Sequence, residues 1–116
     1  APELAAGEES AIDGRADLYS LGCVAYWLLT GRPVFAGPTP MAIVLKHLQE
    51  PVPPLREAME LPLDADLERL VMCCLEKNAD ARPASARLLR ESLTELRLPS
   101  TWNEGRAAEW WQTHLP

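Results

Sequence analysis

The chain is poor in basic residues, histidine and cysteine. Eleven Lys and Arg stand against 17 Asp and Glu, giving a net charge of −6. No basic cluster occurs, and without a positive footprint nucleic acid is not an expected partner. The two histidines, His47 and His114, have no acid, cysteine or serine at a recognisable spacing and read as surface residues. The three cysteines are odd in number, and Cys73 and Cys74 are adjacent within a helical pattern. That arrangement indicates neither a disulfide framework nor a zinc site. Cys23, Cys73 and Cys74 read instead as small core hydrophobes in a reducing, cytoplasmic setting. No apolar run approaches the ~20 residues that a membrane span requires, so no membrane contact is expected of this segment. The N-terminus is neither basic nor apolar, so no signal peptide is expected. The lack of an initial methionine suggests a piece of something longer. No internal repeat, low-complexity tract or convincing strand pattern is found.

What the chain does contain is helix. From Arg15 to Thr30 the sequence is apolar on nearly every face, with Ser20 the clearly polar side chain between Leu18 and Leu29. A helix of this kind must be surrounded by protein or lipid, and its length excludes lipid. It therefore reads as a central buried helix, with Tyr19, Tyr26 and Trp27 as core aromatics. Asp13 and Asp17 favour its start through the helix dipole, and Gly31 followed by Pro33 marks its end. Gly22 sits inside it at a cost of about 1 kcal/mol relative to alanine, which implies close approach of another segment.

Four more helices are expected. Before the central helix, residues 1–14 read as a loop with one helical turn near Glu3. After it, Gly31, Pro33, Gly37 and Pro38 form a turn, with Val34 and Phe35 tucked against the core. Thr39 caps the next helix and Pro40 occupies its first position. Met41, Val44, Leu45 and Leu48 share one of its faces, with Lys46, Gln49 and Glu50 off it. Pro51, Pro53, Pro54 and Pro62 stiffen a long loop. Asp64 caps a helix whose buried face is Leu67, Leu70, Val71, Cys74 and Leu75, with Lys77 in its last turn. Asn78 to Pro83 is a polar connector. Ser85 caps a helix with Leu88, Leu89, Leu93 and Leu96 on one face and Pro99 at its end. A last helix runs from about Asn103 to His114, and Trp102, Trp110 and Trp111 are expected to pack on the rest. The fold class is all-α with five helices.

Several stretches go further. Ala1-Pro2-Glu3 resembles the Ala-Pro-Glu that closes the activation segment of protein kinases. Asp17-Leu18-Tyr19-Ser20-Leu21-Gly22 is similar to the Asp-x-[Trp/Tyr]-Ser-x-Gly motif opening the buried F helix of that fold. Thr30-Gly31-Arg32-Pro33-Val34-Phe35 resembles the turn that follows. Leu75-Glu76-Lys77-Asn78-Ala79-Asp80-Ala81-Arg82-Pro83 resembles the Leu-x-Lys-Asp-Pro-x-x-Arg-Pro stretch between the H and I helices. Order and spacing both match, over about residues 1–97. The wording is most similar to bacterial serine/threonine kinases of the eukaryotic-like type. Two positions depart from the pattern. Ala79 stands where proline is usual, which would loosen the connector, and Trp27 stands where the bacterial enzymes often have glutamate.

The resemblance implies the F to I helices of the kinase large lobe, within an α+β parent fold. Residues 1–97 would be a partial kinase domain, and 98–116 a Trp-containing tail or helix. It implies a buried ion pair between Glu3 and Arg82, and an Asp17 that accepts hydrogen bonds from catalytic-loop amides. It implies that helix 40–49 is exposed and docks substrates or partners, with Met41, Lys46 and His47 as candidates. The complete protein would transfer the γ-phosphate of ATP to Ser or Thr of protein substrates, using ATP and Mg²⁺. This chain has no Gly-x-Gly-x-x-Gly, His-Arg-Asp or Asp-Phe-Gly. It is therefore expected to hold no catalytic, cofactor or metal residues, to be inactive alone, and to need the upstream remainder of the domain as its partner. Without that remainder, helix 15–30 would expose apolar surface. The parent could be anchored to a membrane elsewhere. The alternative reading is a non-catalytic pseudokinase or remnant that serves as a protein-interaction module.

Overall fold

The structure, a computed structural model of the chain, describes residues 1–98 and 102–115. Among them are seven α-helices and no strand. They are α1 (Pro2–Ala5), α2 (Gly14–Thr30), α3 (Pro40–Gln49), α4 (Leu55–Ala58), α5 (Ala65–Cys74), α6 (Ala86–Thr94) and α7 (Glu104–His114). Two 3-10 turns, Glu9–Ala11 and Ala79–Ala81, lie in the connections. The two helices beyond the expected five are single turns, α1 and α4. The short α4 interrupts the proline-rich loop, where Pro54 leads directly into Leu55. The helix capped by Asp64 ends at Cys74, so Lys77 lies beyond its last turn. The helix capped by Ser85 ends at Thr94, while Pro99 lies outside the described residues.

Helix boundaries follow local chemistry. Asp13, Thr39, Asp64, Ser85 and Asn103 each accept a backbone N–H of the first turn that follows. These contacts satisfy donors that a helix leaves unpaired. Gly31 closes α2 with φ of 71°, and its N–H bonds to the Trp27 carbonyl at 2.8 Å. That left-handed conformation is one glycine adopts without strain. The connector with Ala79 in place of proline forms a 3-10 turn capped by Asn78.

The core is built on one side of α2. Tyr19, Tyr26, Val34, Phe35, Leu55, Val71 and Leu75 form its main cluster, and Leu18, Cys74 and Leu89 a second one. The Tyr26 hydroxyl donates to the Pro53 carbonyl at 3.1 Å and ties the proline-rich loop to α2. The other face of α2 is open: Leu21, Val24, Trp27 and Leu28 are 49%, 49%, 55% and 71% exposed. The sequence pattern demands cover on every face, and the described residues cover only one. Trp27 is therefore not a core residue here. Cys74 is buried, whereas Cys23 and Cys73 are only partly so. Trp102, Trp110 and Trp111 do not pack on the helices but stand exposed. Trp110 instead packs against Trp111 and stacks on His114, and Trp102 lies under Arg106.

Gly22 marks a close crossing of α2 and α5. A methyl added there would lie 2.9 Å from Cys74 Cβ and 3.1 Å from two Leu75 atoms. Gly22→Ala should therefore destabilise by about 1–3 kcal/mol, overriding the gain in helix propensity. Urea unfolding measures this directly, and a stabilised variant would contradict the packing. The open face of α2 carries a second expectation. The isolated chain should be marginally stable and prone to association, and a monomeric, cooperative melt well above about 50 °C would contradict it.

Candidate functional site

Arginine supplies five N–H donors in a planar fork, and burying it requires a partner for each. Arg82 has five. Nη1 and Nη2 donate to the two carboxylate oxygens of Glu3 at 2.7 and 2.9 Å. Nε donates to the Glu76 carbonyl at 2.7 Å. Nη1 also reaches the Arg15 carbonyl at 3.0 Å, and Nη2 the Lys77 carbonyl at 3.1 Å. The guanidinium lies 5.0 Å from the centre of the Tyr19 ring. The two side chains are 0% and 7% exposed. This one group therefore joins α1, the first turn of α2 and the connector after α5. Arg82 holds the Glu3 carboxyl below its ordinary range by donating to the ionised form.

A second ion pair supports the same corner. Arg15 donates to Asp13 and, across the chain, to Asp80 at 2.7 Å. Asp17 lies two residues further along α2 but stays exposed. It lines an open cleft with Leu18, Leu21, Ala84 and Ser85, and accepts no hydrogen bond among the described residues. Glu3 and Arg82 are thus brought together, Gly22 sits at the α2–α5 crossing, and Asp17 faces outward.

The three residues expected on the docking face of α3 divide. Met41 is exposed, but Lys46 and His47 turn inward. Lys46 Nζ donates to the Ala36 carbonyl at 2.6 Å. His47 Nδ1 lies 2.8 Å from the Tyr19 hydroxyl, and its ring meets the Phe35 and Tyr19 rings edge-on. His47 is therefore not a surface residue. Its pKa is lowered, first by burial, with the positive charge of Lys77 acting in the same direction. The outward stripe of α3 is Met41, Val44 and Leu45, so most of its apolar face is exposed to solvent, while Leu48 is half-buried. Short polar anchors have set the helix's rotation against its hydrophobic pattern.

Lys77 was not legible as part of this site. Its ammonium donates to the His47 carbonyl at 2.9 Å and lies 5.1 Å from the Phe35 ring centre. It serves the C-terminal end of α3, where exposed carbonyls favour a cation, rather than the helix preceding it in sequence. No spacing rule connects Lys77 to a helix end 30 residues away. Among the described residues, no group of three or more His, Cys, Asp or Glu is placed to hold a metal ion. No helix there is long and apolar enough to cross a membrane.

Breaking the buried pair should be costly. Glu3→Gln leaves Arg82 charged and buried, and should lower unfolding free energy at neutral pH by about 3–5 kcal/mol. The carboxyl's depressed pKa contributes stability that is complete above the ordinary glutamate value, about 4.3, and is lost as pH falls below it. Urea titrations between neutral and acid pH should show the wild-type chain losing more stability than the variant. Equal acid sensitivity would contradict the pair's role.

No family model matches the chain. Individual proteins do. The serine/threonine-protein kinase PknB of Mycolicibacterium smegmatis is 39% identical over 109 residues, which is 93% of this chain and 16% of that protein. PknB of Mycobacterium tuberculosis is 41% identical over 96 residues, covering 82% and 15% respectively. The serine/threonine-protein kinase pkn3 of Myxococcus xanthus is 38% identical over 93 residues, covering 79% and 17%. The chain thus spans about one sixth of the length of these curated relatives. Over most of its length the chain is similar to a segment of these bacterial serine/threonine protein kinases, and its all-helical described structure is consistent with the helical C-terminal part of that domain's large lobe.

Proposed function

We propose that this chain forms the base of a kinase catalytic domain that transfers the γ-phosphate of ATP to Ser or Thr of protein substrates. The observation that carries this reading is the Glu3–Arg82 clamp. It fixes the Ala1-Pro2-Glu3 backbone against the first turn of α2, and so gives the chain entering from upstream a rigid anchor. Among the described residues no group of three or more His, Cys, Asp or Glu is placed to hold a metal ion, and this reading assigns ATP and Mg²⁺ to segments outside this chain. The task of this segment is positioning. Asp17, exposed at the start of α2, would accept backbone amides of the catalytic loop.

The open face of α2 supports the same reading. A compact monomer of 12.8 kDa exposes about 6,300 Å². This chain exposes 8357 Å². The excess is comparable to a standard protein interface of about 1,600 Å². Upstream segments packed on Leu21, Val24 and Leu28 would remove part of it. The dependence on ATP and the three free thiols fit a cytoplasmic location. Protein substrates would dock on the outward stripe of α3, Met41, Val44 and Leu45. That same stripe supports a second reading, a non-catalytic domain that binds partners through α3.

The test is made on the longer protein encoded by the same gene. It should phosphorylate Ser or Thr of a protein substrate, whereas residues 1–116 alone should not. In the longer protein Asp17→Ala should lower kcat about 100-fold, the scale of loss from a misplaced catalytic loop. A longer protein that folds and binds partners through α3 but transfers no phosphate would establish the second reading.

A further inference from the structure

α3 is held by polar anchors rather than by a buried apolar face. None of its residues is fully buried. The Thr39 cap fixes its first turn. Its last turn rests on three polar contacts: Lys46 with the Ala36 carbonyl, His47 with Tyr19, and Lys77 with the Lys46 and His47 carbonyls. Tyr19 is fully buried and its ring is backed by Arg82. The imidazole is the partner that can change.

We propose that His47 is a pH-sensitive latch for α3, closed when the imidazole is neutral and opened by its protonation. In the neutral ring with its proton on Nε2, Nδ1 accepts the Tyr19 O–H. A proton taken from solvent onto Nδ1 removes that acceptor. The bond can reverse, but the ring then carries a positive charge in a partly buried position. The charged groups around it do not compensate. From the connector after α5 come Lys77 and, behind Tyr19, Arg82. From α1 comes the Ala1 amine, while Glu3 is committed to both Nη atoms of Arg82. α2 contributes Tyr19 and Cys23, whose thiol burial keeps protonated. On α3 itself, Lys46 points to Ala36 and Glu50 acts on Lys77. The Phe35 ring, which could favour a cation, already has Lys77 beside it.

The sign follows from the direction of the His47 shift. Its pKa is lowered in the closed state, so the open state takes up the proton more readily. The latch is at full strength above about pH 6.5, the ordinary histidine value, and weakens as pH falls below it. Carboxylates other than strongly perturbed ones stay ionised down to about pH 5.5, which separates this device from the Glu3 clamp.

The experiment is amide hydrogen exchange of the 1–116 chain at pH 7.5 and 5.5, corrected for the intrinsic chemical rate. Protection of the last turn of α3 should fall several-fold at pH 5.5, up to about 10-fold, the ceiling set by a pH one unit below the ordinary histidine value. Protection of α5 should change less than about 2-fold. His47→Gln keeps a hydrogen-bonding side chain without a titration and should abolish the difference, while His114→Gln on α7 should retain it. N-acetylation, which removes the Ala1 charge, should also retain it. If His47→Gln does not fold, NMR of the wild-type chain decides: the His47 ring and the α3 amides should titrate with one midpoint. Equal α3 protection at both pH values, a persisting drop in His47→Gln, unequal NMR midpoints, or no α3 protection even at pH 7.5 would each overturn the latch.

Discussion

A buried guanidinium with every donor satisfied is the constraint on which this fold depends. Arg82 costs a great deal to bury, and the cost is offset only when Glu3 and the carbonyls of Arg15, Glu76 and Lys77 all converge on it. Those groups come from three separate parts of the chain. Hydrophobic contact alone would allow α1 and the connector after α5 to slide over α2. The fork of Arg82 allows a single arrangement, because its geometry matches a carboxylate in two parallel bonds. A lysine in that place would carry the charge but not the geometry.

Around this corner the helices divide into two kinds. α2, α5 and α6 pack by apolar contact, closely enough at Gly22 to exclude a methyl group. α3 is attached by hydrogen bonds and a cation at its C-terminus, with its apolar stripe facing solvent. The first kind gives a rigid frame. The second gives an element that local electrostatics can loosen while the frame stays intact.

The open face of α2 and the exposed stripe of α3 have different origins. α2 is apolar all round, so its open face implies an apolar neighbour to complete it. α3 is amphipathic, and its exposed stripe results from polar anchors that outweigh its pattern. Similarity to proteins roughly six times as long as this chain accords with the first, and the docking reading rests on the second.

By itself the sequence determined the helical class and the capped helix starts at Thr39, Asp64 and Ser85. It also determined the αL stop at Gly31 and the identity of the buried residues Tyr19, Tyr26, Val34, Phe35 and Cys74. These follow from local rules: a cap bonds its own first turn, a glycine adopts positive φ, and an apolar residue at the right period finds the core. Motif order also carried the family resemblance. Only the tertiary structure decided that Trp27 faces out, that His47 is held by Tyr19, and that Lys77 serves α3. The reason is the same in each case. Which face of a helix is covered, and which carbonyl a distant ammonium reaches, depends on partners tens of residues away, and no periodicity encodes them.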